Sequence, residues 1–136
     1  MKQRYNSYNL AGFPGIPFEY IKVLESVGIR NTEKFLAESG SEAQKNILSK
    51  KTGIPVDRLD ELRSLADLVK INGIGHVTAN ILYETGITSL RDLASSEINS
   101  VYPGCRYILE KRGYPTYLIS KAKIRDWIRE ARSRHH

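Results

Sequence analysis

The chain has 136 residues, with 21 Lys and Arg against 15 Asp and Glu, a net charge of +6 and one cysteine, Cys105. That length holds one domain, or one and a small appendage, able to bury about two-thirds of its unfolded surface. A lone thiol rules out a disulfide framework and, without a secretory apolar stretch, points to a reducing, cytoplasmic setting; no apolar run is long enough to span a bilayer.

In chain order, residues 1–9 are polar and read as a flexible arm. From Gly15 to Ile29 the chain anticipates a later stretch: Gly15, Ile16, Leu24, Gly28 and Ile29 recur as Gly73, Ile74, Leu82, Gly86 and Ile87 at a constant offset of 58. With one residue deleted, the likeness runs on from Phe35-Leu36-Ala37 to Asp92-Leu93-Ala94. Two hairpins packed about a pseudo-twofold axis are therefore expected. The first is degenerate, because Pro14 and Pro17 remove two amides, and Pro17 suits the first position of a helix. Asn31 or Thr32 caps a short helix to about Ser39, and Ser41-Glu-Ala-Gln44 is a capping box opening another that ends at Thr52-Gly53. Pro55 starts a helix whose Val56, Leu59, Leu62, Leu65, Leu68 and Val69 form a core-facing stripe.

The most informative stretch is Ile71-Asn-Gly-Ile-Gly-His-Val-Thr-Ala79. Two glycines bracket Ile74, which plugs the gap between two helices, and Ala79 lets them cross closely. Gly86 closes the second helix as a left-handed cap, with Ile87 turned back on Leu82. This pattern resembles the helix-hairpin-helix superfamily, apolar-x-Gly-apolar-Gly-x-x-x-Ala, and the longer register over roughly residues 10–102 is similar to the family called domain of unknown function 4332. The superfamily resemblance implies sequence-independent contact with nucleic-acid phosphates through hairpin amides; the closer family implies a fold and no function. On that reading Gly73, Gly75 and His76 present amides to an anion at a helix N-terminus, with Lys70, Thr78 and Asn80 adding charge or hydrogen bonds. The structural alternative is a turn that only joins two packed helices.

Beyond the hairpin, Ser89 and Ser95 are candidate caps, and Tyr102-Pro103-Gly104 reads as a break dividing a tandem hairpin domain, residues 10–102, from a basic extension, residues 103–136. Residues 1–104 carry 12 basic and 12 acidic side chains, so the extension holds the whole excess: nine basic against three acidic. A short helix over 105–112, a turn at Gly113-Tyr114-Pro115 and a last helix capped by Thr116 are expected, the last with Tyr117, Ile124, Trp127, Ile128 and Ala131 on its apolar face. Beside that face, Lys121, Arg125, Arg129 and Arg132 align as a stripe. Arg106, Lys111 and Arg112 interleave with Tyr107, Tyr114 and Tyr117, a mixture able to neutralise phosphates and stack on bases, or else ordinary half-buried packing.

No phosphate loop, nucleophile elbow, dinucleotide fingerprint or metal spacing occurs, and His135-His136 is either native or the remnant of a tag. Some helix-hairpin-helix relatives are DNA glycosylases, but nothing in the sequence places Lys70 and Asp92 together. The expectation is an all-α, non-enzymatic protein without cofactor or metal that binds DNA or RNA, ribosomal RNA included. The alternative is a protein-interaction or adaptor module, or a homodimer, on the same scaffold.

Overall fold

A computed structural model of the chain describes residues 6–134. Among them are eight α-helices and no strand: α1 (Phe18–Ser26), α2 (Thr32–Glu38), α3 (Glu42–Thr52), α4 (Val56–Leu68), α5 (His76–Glu84), α6 (Leu90–Ala94), α7 (Ile98–Arg112) and α8 (Lys121–Arg134). None of these helices is long and apolar enough to cross a membrane.

Local sequence sets the helix limits. Asn31 accepts from the Lys34 amide to open α2, and Ser41 and Gln44 form both arms of a capping box on α3. Gly53 and Gly113, at φ +77° and +72°, end α3 and α7 in the left-handed conformation.

The duplication recurs bond for bond. Amides of Ile16, Ile21, Ile29 and Phe35 donate to the carbonyls of Phe13, Pro17, Leu24 and Asn31; fifty-eight residues on, those of Ile74, Ala79, Ile87 and Leu93 donate to Ile71, Gly75, Leu82 and Ser89. The offset therefore holds without the expected deletion, and Phe35 matches Leu93, both fully buried. Packing repeats as well: α1 on α3, α2 on α4 and α3 on α4 correspond to α5 on α7, α6 on α8 and α7 on α8, with α4 against α5 joining the halves. In α4, Leu59, Leu62 and Ala66 face the core; in α8, Ile124, Trp127 and Ala131 do so at the same spacing. Each of these helices also sends an arginine to its short partner: Arg63 donates to the Leu36 and Ser39 carbonyls at the end of α2, and Arg132 to the Ala94 carbonyl at the end of α6.

Three expectations fail here. The Pro103-Gly104 break does not exist, since α7 runs through both. Pro103 points to solvent, while Val101, Cys105 and Leu109 hold the buried face. Gly104 lets α7 approach the end of α5, where an added Cβ would sit 3.2 Å from the Thr85 methyl. The division at residue 103 thus cuts a continuous helix, and α8 belongs to the same core as α4. Secondly, Thr116 caps nothing: Thr116–Leu118 is a 3-10 turn, α8 is opened by Ser120, whose hydroxyl accepts from the Lys123 amide, and Tyr117 is 71% exposed rather than on the apolar face. Ser95 likewise stands at the end of α6, and Glu97 precedes α7. Thirdly, residues 6–9 are docked: Tyr8 and Thr32 exchange hydrogen bonds, and Asn9 bridges Asn31. Residues 1–5 of the expected arm and His135-His136 lie outside the described residues.

Two outcomes follow from this packing. Removing the 3%-exposed Trp127 ring, as Trp127→Ala, lowers unfolding free energy by about 3–5 kcal/mol in urea, and a chain ended after Tyr102 loses its cooperative transition; a cooperative 10–102 fragment would contradict the shared core. Burial also pushes the Cys105 thiol up to about 11. Because the folded chain holds that proton more tightly, stability falls as pH rises from the unfolded thiol's value towards 11. A thiol reagent at pH 8 accordingly labels Cys105 rapidly in urea and slowly in the native protein, and fast native labelling would refute the burial.

Candidate nucleic-acid interface

The turn between α4 and α5 has the expected skeleton. Gly73 lies at φ +90°, Ile74 and Ala79 are fully buried, and Gly75 caps α5 with extended backbone. Several of its polar groups, however, are engaged within the protein. The Gly75 amide donates to the Thr78 hydroxyl at 2.8 Å, which returns a bond to the Gly75 carbonyl. Asn80 is 5% exposed and its Oδ1 accepts, at 3.5 Å, from the Gly15 amide of the first hairpin, where an added Cβ would collide with its Nδ2. His76 packs edge-on between Tyr8 and Phe13, and its Nε2–H donates to the Asn9 carbonyl at 2.7 Å. Lys70 reaches Asp67 at 3.1 Å.

The outer side of the turn is covered by residues distant in sequence. A Cβ on Gly73 would lie 3.0 Å from the Trp127 indole nitrogen, and the Glu130 carboxylate accepts from the Asn72 amide at 3.3 and 3.4 Å. Asn6 donates to the Asn72 side chain, and the Tyr8 ring lies over Gly75. A protein carboxylate thus already stands at the mouth of the hairpin. Of the expected phosphate cradle of Lys70, Gly73, Gly75, His76, Thr78 and Asn80, Gly75, Thr78, His76 and Asn80 make contacts within the chain that join the two hairpins and the N-terminal segment, while Gly73 is exposed beside Trp127. Sequence reasoning missed Tyr8, Trp127 and Glu130, which carry no local signal for this role.

The basic stripe does face outward. Lys121, Arg125, Arg129 and Arg132 are all exposed. A helix turns about 100° per residue, so this row lies roughly opposite Trp127, Glu130 and Arg134 around α8. Hairpin and stripe therefore occupy opposite flanks of one helix and form no continuous track. On the stripe's side, Arg125, Arg129 and Arg132 line a groove of about 230 Å³ against Ser96, Glu97 and Ile98. Further along the seam between α7 and α8, the Lys121 ammonium sits 5.4 Å from the centre of the Tyr102 ring, and the Tyr102 hydroxyl accepts from Arg106.

The other expected contributors divide. Arg112 is paired with Glu84, and Arg106 with Glu110; these neighbours raise both guanidinium pKa values. Lys111 lies 5.7 Å from the centre of the Tyr107 ring, and Tyr107 is 62% exposed. Tyr114 packs partly into the core, as the ordinary packing alternative has it. Against its counterpart, α8 is distinctive in charge: residues 56–68 of α4 carry two basic and four acidic side chains, whereas residues 121–134 carry six basic and two acidic.

Compared with known proteins, residues 14–134 match a family model described as a domain of unknown function (DUF4332), a span that includes all eight helices and continues past residue 102. No curated protein and no solved structure matches at a significant level. No group of three His, Cys, Asp or Glu among the described residues is arranged to hold a metal ion.

If the hairpin is internally satisfied in this way, Thr78→Val leaves the Gly75 amide without its acceptor and lowers stability by about 1–3 kcal/mol. Chemical denaturation measures this, and a variant as stable as the parent would show that the amide finds water instead.

Proposed function

We propose, for this chain, which belongs to the family described as domain of unknown function (DUF4332), a non-enzymatic, largely sequence-independent nucleic-acid-binding role centred on the α7–α8 seam. In this reading the two halves are helix-hairpin-helix repeats used as scaffold, and the second hairpin serves to orient α8 rather than to hold a phosphate. The observation that carries it is the charge contrast between α4 and α8. The two helices share a packing position, yet Lys121, Arg125, Arg129 and Arg132 form an exposed cationic row on α8 only. Polyanion phosphates are the partner such a row favours, and phosphate contacts position a ligand without reading bases. DNA and RNA, ribosomal RNA included, are equally suited, and the lone thiol Cys105 fits a cytoplasmic setting.

A protein-interaction role is the second reading, favoured by Phe18 and Ile47, which are 68% and 66% exposed on the other half. Size-exclusion chromatography separates the two: a dimer insensitive to salt supports interaction through that apolar surface.

If the row engages about three to five phosphates, log affinity for duplex falls with log salt at a slope of roughly −3 to −4. Fluorescence anisotropy measures this. Arg125→Glu with Arg129→Glu weakens binding on the order of 100-fold or more, while Lys70→Ala leaves it unchanged. A flat salt response, or binding that survives the double reversal, would overturn the proposal.

A further inference from the structure

The nucleic-acid reading leaves the strandedness of the ligand open, and the tyrosines of the C-terminal half bear on it. Among the described residues Tyr8, Tyr20, Tyr83, Tyr102 and Tyr114 pack against the core, whereas Tyr107 and Tyr117 are 62% and 71% exposed. Both exposed rings lie in the cationic part of the chain: the Lys111 ammonium lies 5.7 Å from the centre of the Tyr107 ring, and the Lys123 ammonium donates to the Tyr117 backbone carbonyl at 2.8 Å. A ring with a cation alongside offers a face for stacking and a charge for the adjoining phosphate.

From this we infer that the ligand is single-stranded nucleic acid, with unpaired bases stacked on Tyr107 and Tyr117 and the sugar-phosphate backbone running along the α8 row. The inference rests on the nucleic-acid reading above. Two features distinguish a single strand from a duplex. First, base faces are hidden in a duplex and open in a single strand, so exposed rings reward only the latter. Secondly, the cations form one line. From Lys121 to Arg132 the row extends about 16 Å along the helix, and the flank beyond it carries Asp126 and Glu130. One backbone can follow that row; the second strand of a duplex, across a groove about 12 Å wide, would meet no matching row on α8. Tyr117 precedes Lys121 by four residues, and Tyr107 lies on α7 five residues past Tyr102, whose ring Lys121 covers.

The test is fluorescence anisotropy at one salt concentration with a labelled fifteen-nucleotide oligothymidylate, an oligouridylate of equal length and a fifteen-base-pair duplex. Single strands are expected to bind at least about tenfold tighter than duplex. Tyr107→Ala and Tyr117→Ala each weaken single-strand binding roughly tenfold and leave duplex binding unmoved, while Tyr→Phe at either position retains it, because stacking needs the ring and not the hydroxyl. Both rings are exposed, so circular dichroism melting stays at the parent value. Duplex bound as tightly as the single strands, with the alanine variants unchanged, would overturn this inference and leave the broader one standing. Failure of all three probes to bind would overturn both.

Discussion

The contact on which the rest of the structure depends is the one between α8 and the turn of the second hairpin. The Trp127 indole nitrogen comes so close to Gly73 that an added Cβ would lie 3.0 Å from it, and Glu130 accepts from the Asn72 amide. A tryptophan contributes more buried apolar area than any other residue, so seating it there fixes both the position of α8 and its rotation. Rotation is what matters for function. With Trp127 inward and Glu130 on the hairpin, helical periodicity places Arg125, Arg129 and Arg132 on the far flank. The glycine that a phosphate would need bare is the same glycine the indole needs bare. Sterically, the site can serve one or the other.

The same economy governs the first hairpin. Asn80 enters at Gly15, and His76 at Gly12. Polar residues at the start of α5, which in isolation suit contact with an anion, are instead the groups that join the two halves. A buried amide is tolerated only when its hydrogen bonds are made, and here the buried Asn80 and the half-buried His76 each find a backbone group of the opposite segment. The joint is polar and directional, which fixes how one half sits on the other more narrowly than apolar contact alone would.

These two facts explain what was legible in the sequence. Features encoded within a turn or two of helix were readable: the Asn31, Ser41 and Ser89 caps, the Gly28 and Gly86 terminations, the Leu59-Leu62-Leu65 stripe, and the buried face of α8 at Ile124, Trp127, Ile128 and Ala131. Where a local signal competes with a distant contact it misled. Pro103-Gly104 has the composition of a break, but Pro103 faces solvent early in the helix and Gly104 answers to Thr85 on another helix. Thr116 is a competent cap in the wrong place, because Thr116–Leu118 forms a 3-10 turn and Ser120 opens α8 instead. Nothing near Gly73 in the sequence announces Trp127, fifty-four residues away. How far the turn around Ile74 is accessible could not be read locally, since accessibility is a property of the whole fold.

Duplication supplies an internal control that a single sequence otherwise lacks. α4 and α8 pack against equivalent partners and present the same apolar spacing inward, so the demands of folding on the two are alike. Over their whole length, α4 carries two basic and four acidic side chains and α8 six and two. Arg63 and Arg132 each serve packing by bonding to a short neighbouring helix, so that role does not account for the difference, and exposed surface charges contribute little to stability. A general need for charge would be met as well by spreading it over both halves. Its concentration on one helix, on the flank turned away from the hairpin, is what the proposed polyanion contact draws on. The exposed Tyr107 and Tyr117 stand in the same half.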